Sequence, residues 1–183
     1  MKALMFDSET TGLKAEDGDK LIEVALITYD TETRKAIDKY IQRIDPECSI
    51  SAGAQEVHGI SYSQLVGKPK FAEIAQHCHD LFTQADFVVA HNLVFDATFF
   101  MYEFQACGLV LPTKPSIDTM TEARWACPDG KYPKLGELCF ALRVPYDPAA
   151  AHSAEYDVEV MAQCLFKGAD LGFYALPGGR HEY

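Results

Sequence analysis

The 183-residue sequence predicts an α/β protein with one mixed sheet flanked by helices. Its first 44 residues contain three β-rich segments, and a turn joins the second to the third. From residue 69 onward, apolar positions recur with the 3.6-residue period of helices, and short β-rich segments separate these helices. The resulting order, βββ-α-β-α-β-α-α, favours a hairpin beside a parallel part of the same sheet.

The strands of the amino-terminal part are indicated by composition and by turn residues. An apolar run opens the chain, and Leu21–Asp30 is rich in β-branched residues. Asp30–Thr33 is typical of a hairpin turn, and Ile37–Ile44 alternates well enough to be the returning strand. Pro46 then ends this part of the sheet.

Helices and short strands alternate through the rest of the chain. Pro69 opens a helix whose apolar positions follow the helical period. The next long helix ends at Gly108, and Ser153 is a candidate N-cap residue of the last helix. The other expected elements are short helical turns at 51–66, strands at 87–91 and 116–119, and helices at 95–106, through 125, at 134–142 and at 153–167.

Composition predicts one globular domain over 1–170 and a short tail over 171–183. An apolar content of 48% and a charged content of 23% are ordinary for such a domain. No apolar stretch approaches the roughly 20 residues that span a bilayer, and the amino terminus lacks a signal-peptide pattern. We therefore expect a cytoplasmic protein without a membrane partner. The six cysteines form no C-x-x-C pair, which disfavours a zinc or redox centre.

The net charge of −11 disfavours an extended interface with duplex nucleic acid, because proteins that bind many phosphates usually have a basic surface. It is compatible with a protein that holds a few terminal nucleotides through metal ions. The carboxylates that such ions require also contribute to the negative charge.

Two acids, Asp7 and Glu9, end the first apolar run. Side chains two residues apart share one face of a strand, so these like charges would lie together with little water. A hard cation such as Mg²⁺ or Mn²⁺ would relieve their repulsion. Taken alone, a pair of solvated acids at a strand end is the simpler interpretation.

A third and a fourth acid follow other elements. Asp96 lies near the start of the helix after the strand at 87–91, where a helix-capping role explains it equally well. Asp157 lies in the first turn of the last helix, beside its apolar stripe, where an acid requires a partner. The five-residue spacing places His152 in the segment before that helix. Four acids on three elements, with one histidine, predict a two-metal phosphoryl-transfer site in which the histidine is the general base.

Three motifs resemble the DEDDh branch of the DnaQ-like 3′–5′ exonucleases, and the resemblance extends over about residues 3–167. They are Phe-Asp-Ser-Glu-Thr-Thr-Gly at 6–12, His-Asn-Leu-Val-Phe-Asp at 91–96 and His-Ser-Ala-Glu-Tyr-Asp at 152–157. The resemblance implies an RNase H-like fold with a mixed five-stranded sheet. It also implies that two Mg²⁺ or Mn²⁺ ions are held by Asp7, Glu9, Asp96 and Asp157, with His152 as the base.

The same resemblance implies contacts to the terminal nucleotide. The residues concerned are Thr11, Gly12, Leu13, His58, Asn92 and Phe95. Leu13 would be an apolar wedge against a base and His58 would contact the sugar or phosphate, although Leu13, His58 and Phe95 could equally be packing or loop residues. Two positions depart from the family pattern: Ser8 replaces the usual Thr, and Gly53 stands where the proofreading members have an acid that contacts the sugar.

The expected activity is removal of nucleoside 5′-monophosphates from the 3′ end of single-stranded or frayed DNA. One alternative is a proofreading subunit with a DNA polymerase partner. Another is an RNA 3′-end trimming enzyme like RNase T, because no residue decides whether a 2′-OH is accepted. The resemblance to RNase T also leaves a homodimer open.

Overall fold

The computed structural model describes residues 1–178, which form one five-stranded sheet with helices on both faces. The sheet has the order β3-β2-β1-β4-β5; β1–β3 are antiparallel neighbours, and β4 and β5 run parallel to β1. The predicted mixed sheet is confirmed, and β3 and β5 are its two edge strands. The strands are β1 (Lys2–Thr10), β2 (Leu21–Asp30), β3 (Lys35–Arg43), β4 (Phe87–Ala90) and β5 (Ser116–Asp118).

The helices follow the predicted order, with small differences at their ends. They are α1 (Ala52–His58), α2 (Phe71–Gln84), α3 (Leu93–Ala106), α4 (Leu135–Leu142) and α5 (Ala154–Asp170). The helix predicted through 125 is a 3₁₀ segment, Thr121–Ala126, because Ala123 departs from helical geometry. Ser153 stands at the cap position of α5, but its side chain makes no capping hydrogen bond, so that part of the prediction is wrong.

The alternation of β1 divides the core into two layers. Ala3 and Met5 pack with residues of α4 and α5, whereas Leu4 and Phe6 pack with residues of α2 and α3. Because both faces of the central strands are covered, β2 is a nearly continuous apolar run rather than an alternating one.

This layering determines where the polar end of β1 points. The side chains of Asp7 and Glu9 lie on the same face of β1 as Met5, which is the face toward α5. The side chain of Ser8 lies on the same face as Phe6, which is the face toward α3. The carboxyl ends of the parallel strands β1, β4 and β5 lie at the same edge of the sheet. The acids of β1 and the start of α3 therefore meet at that edge, where open α/β sheets commonly bind ligands.

Part of the predicted 171–183 tail packs against the domain. The hydroxyl of Tyr174 donates to the carbonyl of Thr119 at 2.9 Å, and the ring of Phe173 stacks on Trp125 with 3.9 Å between centroids. Residues 179–183 lie outside the described residues. Within 1–178, none of the helices has the length and apolarity that crossing a bilayer requires.

Candidate active site

The four acids singled out in the sequence meet at the carboxyl end of β1. Glu9, Asp157 and His152 each offer one ligand atom, and these three atoms lie within 4.8 Å of one another. The charges of Glu9, Asp96 and Asp157 all raise the pKa of Asp7, after the larger effect of its burial. Asp96 and Asp157, which are 89 and 150 residues from Asp7 in the chain, are therefore close enough to repel it.

Asp96 is anchored by the residue between the two acids of β1. Asp96 is only 3% exposed, in the first turn of α3, and the hydroxyl of Ser8 donates to its Oδ1 at 2.6 Å. Burial raises the pKa of Asp96, and the hydrogen bond from Ser8 lowers it in opposition. Ser8 can reach Asp96 because the alternation of β1 turns it toward α3.

Asp157 and His152 are positioned by the start of α5. The backbone N–H of His152 donates to Asp157 Oδ2 at 3.1 Å, while Asp157 Oδ1 is buried and has no hydrogen-bond partner within residues 1–178. His152 adopts a positive φ of 61°, which turns the chain just before the helix. The exposed imidazole is thereby brought over the buried carboxylates of Glu9 and Asp157.

Keeping these carboxyl groups ionised costs free energy in the absence of a cation. Burial, followed by the charges of Asp157, Glu23 and Asp96, raises the pKa of Glu9 to about 9. The pKa of Asp157 is also raised by its burial. Carboxyl groups with raised pKa values, confined to one cleft, are typical of metal or catalytic sites.

The donors present fit a divalent metal ion. Carboxylate oxygens suit hard cations such as Mg²⁺ and Mn²⁺. Among the described residues nothing donates a hydrogen bond to the buried Oδ1 of Asp157, so this oxygen can serve as such a ligand. The Asp7, Glu9, Asp96 and Asp157 side chains could therefore hold such ions, and His152 lies beside them.

The turn after β1 projects Leu13 outward from this cluster. Thr11 is buried, donates to Asp19 Oδ1 at 3.1 Å and accepts from the N–H of Lys20 at 2.9 Å. At Gly12 an added Cβ would displace the Asp19 carboxylate, which accepts from Thr11 and from the N–H of Lys14 and so holds this turn. With the turn held from inside, Leu13 is 79% exposed.

Two cavities meet at Leu13 and Phe95. The first, about 560 Å³, is the His152 cavity, which is also lined by Asn92, Tyr132 and Asp157. The second, about 380 Å³, is the His58 cavity, which is also lined by Ser8, Glu9, Gly12, Gly53 and Val57. Of the six substrate residues predicted from the resemblance, five therefore line a cavity beside the acids, whereas Thr11 faces Asp19 instead.

The positions of His58 and Asn92 are each fixed by a hydrogen bond that a backbone N–H donates. His58 Nδ1 accepts from the N–H of Ile60 at 3.0 Å, and burial lowers the pKa of His58, which favours its neutral form. Asn92 adopts a positive φ of 74° between β4 and α3, and its N–H donates to Asp118 Oδ1 at 3.0 Å. The last residue of β5 thus supports the strand-to-helix turn that leads to Asp96.

Comparison with known proteins identifies the family. The RNase T family model, described as an exonuclease, matches residues 4–165. The chain belongs to this exonuclease family. It is 32% identical over 157 residues to the 3′-5′ exonuclease DinG of Bacillus subtilis (strain 168), a match that covers 86% of this chain. It is also 32% identical over 160 residues to DNA polymerase III subunit epsilon of Treponema pallidum (strain Nichols), covering 85% of this chain and 70% of that subunit.

The relatives differ greatly in length from this exonuclease-family chain. The matched region is 16% of DinG, so the chain corresponds to one segment of a much longer protein. A solved structure of Exonuclease X in complex with 5′ overhanging duplex DNA superposes with a TM-score of 0.70, 24% identity and 94% coverage of both chains. At that identity, the superposition supports the shared fold.

Several residues of this exonuclease-family site were not predicted from the sequence as site residues. Glu23 stands directly opposite Glu9 in the β1–β2 register, and only 6% of it is exposed. Asp19 holds the turn at Gly12, and the hydroxyl of Ser8 holds Asp96. Glu23 is a charged residue within the apolar run of β2, and this exception to the pattern could have identified it as a site residue from the sequence. The roles of Asp19 and Ser8 depend on contacts that sequence spacing does not reveal.

Proposed function

We propose that this chain is a metal-dependent 3′–5′ exonuclease that releases nucleoside 5′-monophosphates from the 3′ ends of single-stranded or frayed DNA. The observation that carries the proposal is the convergence of Asp7, Glu9, Asp96 and Asp157 beside His152 in a member of the exonuclease family. Their mutual repulsion gives this cluster a reason to bind cations, and phosphodiester hydrolysis is the chemistry that such cations assist.

The four acids would hold two Mg²⁺ or Mn²⁺ ions. Once bound, the ions would place positive charge beside the scissile phosphate and lower the pKa of the attacking water. The Ser8 hydroxyl would keep the carboxylate of Asp96 oriented, and the N–H of His152 would do the same for Asp157.

His152 would act as the general base. Its imidazole is exposed, lies beside Glu9 and Asp157 and can exchange protons with solvent. Histidine accepts a proton near neutral pH, and general-base catalysis contributes about 10²–10⁴-fold to a rate. In this role His152 takes the proton of the attacking water, and the acids beside it stabilise the imidazolium that forms.

The terminal nucleotide would lie across the two cavities. Leu13 projects between them and would pack against a base, while His58 faces the sugar or phosphate from the His58 cavity. Asn92 and Phe95 line the path from one cavity to the other, and Gly12 brings the backbone close to the ligand. The acids sit on three separate elements around this path, so a single strand fits better than a duplex.

Two observations favour alternatives to a free-standing DNA enzyme. The similarity to a polymerase III epsilon subunit over 70% of that protein favours a proofreading subunit with a polymerase partner. Gel filtration with and without purified polymerase subunits tests this, and the chain alone reports whether it is a homodimer. The RNase T family match favours RNA 3′-end trimming.

Matched oligonucleotides test the proposed function. DNA and RNA of one sequence, labelled at the 5′ end and with the 3′ end free or blocked, are digested in Mg²⁺, Mn²⁺ or EDTA. We expect metal-dependent shortening of free DNA ends, nucleoside 5′-monophosphate as product, and no cleavage of circular single-stranded DNA. Faster digestion of RNA would favour the trimming alternative, and cleavage of the circle would contradict an exonuclease.

A further inference from the structure

Glu23 and Arg43 form a polar row with Glu9 across three strands. Glu9 pairs with Glu23 in the β1–β2 register, and Glu23 pairs with Arg43 in the β2–β3 register. All three therefore lie on the face of the sheet toward α5. Like charges placed directly opposite each other destabilise a sheet, so a second buried acid beside Glu9 calls for an explanation.

The two oxygens of Glu23 have different partners. Oε2 accepts from the Nε of Arg43 at 2.8 Å, and Oε1 accepts from the backbone N–H of Ala154 at 3.4 Å. Ala154 is the first residue of α5, where backbone N–H groups lack helical partners. Glu23 thus supplies an acceptor from the sheet for the first of these N–H groups, in a helix whose Ser153 side chain makes no capping bond.

We propose that Glu23 is a positioning residue that fixes the start of α5 opposite Glu9. The inference rests on the proposed function and extends it to a residue outside the metal ligands. The bond to Ala154 lies between His152 and Asp157 in the chain, so it determines how far both stand from Glu9. Arg43 compensates the charge of Glu23 and holds Oε2, which leaves Oε1 directed at Ala154.

The proposal separates the acceptor role of Glu23 from its charge. Glu23→Gln keeps one carbonyl oxygen, which accepts from the Ala154 N–H when the side-chain amide NH₂ faces Arg43, whereas Glu23→Ala removes the acceptor altogether. Asp170→Asn is a matched control, because Asp170 ion-pairs with Arg34 at the opposite end of α5. All four proteins, the wild type included, are first compared by thermal melting to establish that they are folded.

The first readout is hydrogen exchange in metal-free protein, which does not depend on activity. Mass spectrometry should show faster amide hydrogen exchange in the peptide over residues 152–160 of Glu23→Ala. At the amides affected most, the exchange rate should be at least tenfold that of wild type. Glu23→Gln and Asp170→Asn should exchange there within threefold of wild type. Unchanged exchange in Glu23→Ala would overturn the proposal, and this result stands even if the wild type fails to digest nucleic acid.

The second readout is the division of the effect between kcat and KM. If the wild type is active, Glu23→Ala should lower kcat at least tenfold while KM for a DNA oligonucleotide stays within about twofold. Glu23→Gln should recover kcat to within threefold of wild type. Equal losses of kcat in the Gln and Ala variants, with exchange over residues 152–160 of the Gln variant near that of wild type, would show that the charge, not the acceptor, matters and would overturn the positioning role.

Discussion

Glu9→Gln would remove one carboxylate from the buried cluster while nearly keeping its size. Only 9% of Glu9 is exposed, and its pKa of about 9 is raised first by burial and then by the charges of its acidic neighbours. An amide at this position cannot be deprotonated. We therefore expect the metal-free variant to be more stable than wild type at neutral pH, although it loses a carboxylate proposed to bind metal.

The size of this effect follows from proton linkage. The folded pKa of Glu9, about 9, lies above its ordinary value of 4.5, so folding takes up a proton between these pH values. The associated stability is fully present below pH 4.5 and is lost as pH rises toward 9. At pH 7, about 2.5 pH units above the ordinary pKa, the loss is about 3 kcal/mol, at roughly 1.4 kcal/mol per unit.

Thermal and urea denaturation in EDTA measure this difference. At pH 7 the variant should unfold about 6–12 °C above wild type, given roughly 2–4 °C per kcal/mol for a chain of this size. At pH 5 the two should differ by a small fraction of that amount. Glu16→Gln is the matched control, because Glu16 is an exposed acid in the short helix after β1 and should change little at either pH.

Adding Mn²⁺ should reverse the order of the two proteins. The wild type gains stability from the ion in proportion to ln(1 + [Mn²⁺]/Kd), and the variant has lost one ligand. If Glu9→Gln is no more stable than wild type at pH 7 in EDTA, then neither burial nor the neighbouring acids raise the pKa of Glu9 in the folded protein. That outcome would falsify the electrostatic account of the site.

Further substitutions separate the roles within the site. Asp157→Asn should abolish oligonucleotide digestion in a folded protein. His152→Ala should lower kcat about 10²-fold or more while calorimetry finds the Mn²⁺ Kd nearly unchanged, and a wild-type rate at neutral pH would exclude the general-base role. Ser8→Ala removes the hydrogen bond to Asp96, so titration calorimetry should show about 10–100-fold weaker Mn²⁺ binding. Tyr132 lines the His152 cavity and is 51% exposed; Tyr132→Ala should raise KM at least about fivefold with kcat unchanged if it stacks on a base.

Much of the fold could be predicted because its signals are local. The hairpin turn at 30–33 and the helical period of α2 depend on neighbouring residues only, and both elements form as predicted. The 3₁₀ segment before Cys127 was harder to predict. Its residues favour a helix, but Ala123 is fully buried and its backbone departs from helical geometry.

The positions of the acids could also be predicted from the sequence, whereas their support could not. Asp7 lies in the second half of the apolar strand β1, and Asp96 and Asp157 lie in the first turns of apolar helices, so their places on the fold are determined by nearby residues. The contacts of Ser8 with Asp96 and of Glu23 with Ala154 span 88 and 131 residues. They depend on strand register and on which face of the sheet each helix covers.

The sequence alone determines the order of the strands and helices, because strand alternation and the helical period depend on residues that are close together in the chain. The acidic motifs are also visible in the sequence alone. The two cavities around Leu13, the burial of Asp157 Oδ1 and the Glu9–Glu23–Arg43 row exist only in the folded chain. The reason is physical: burial and proximity raise the pKa of an acid, and both are created when distant segments pack together.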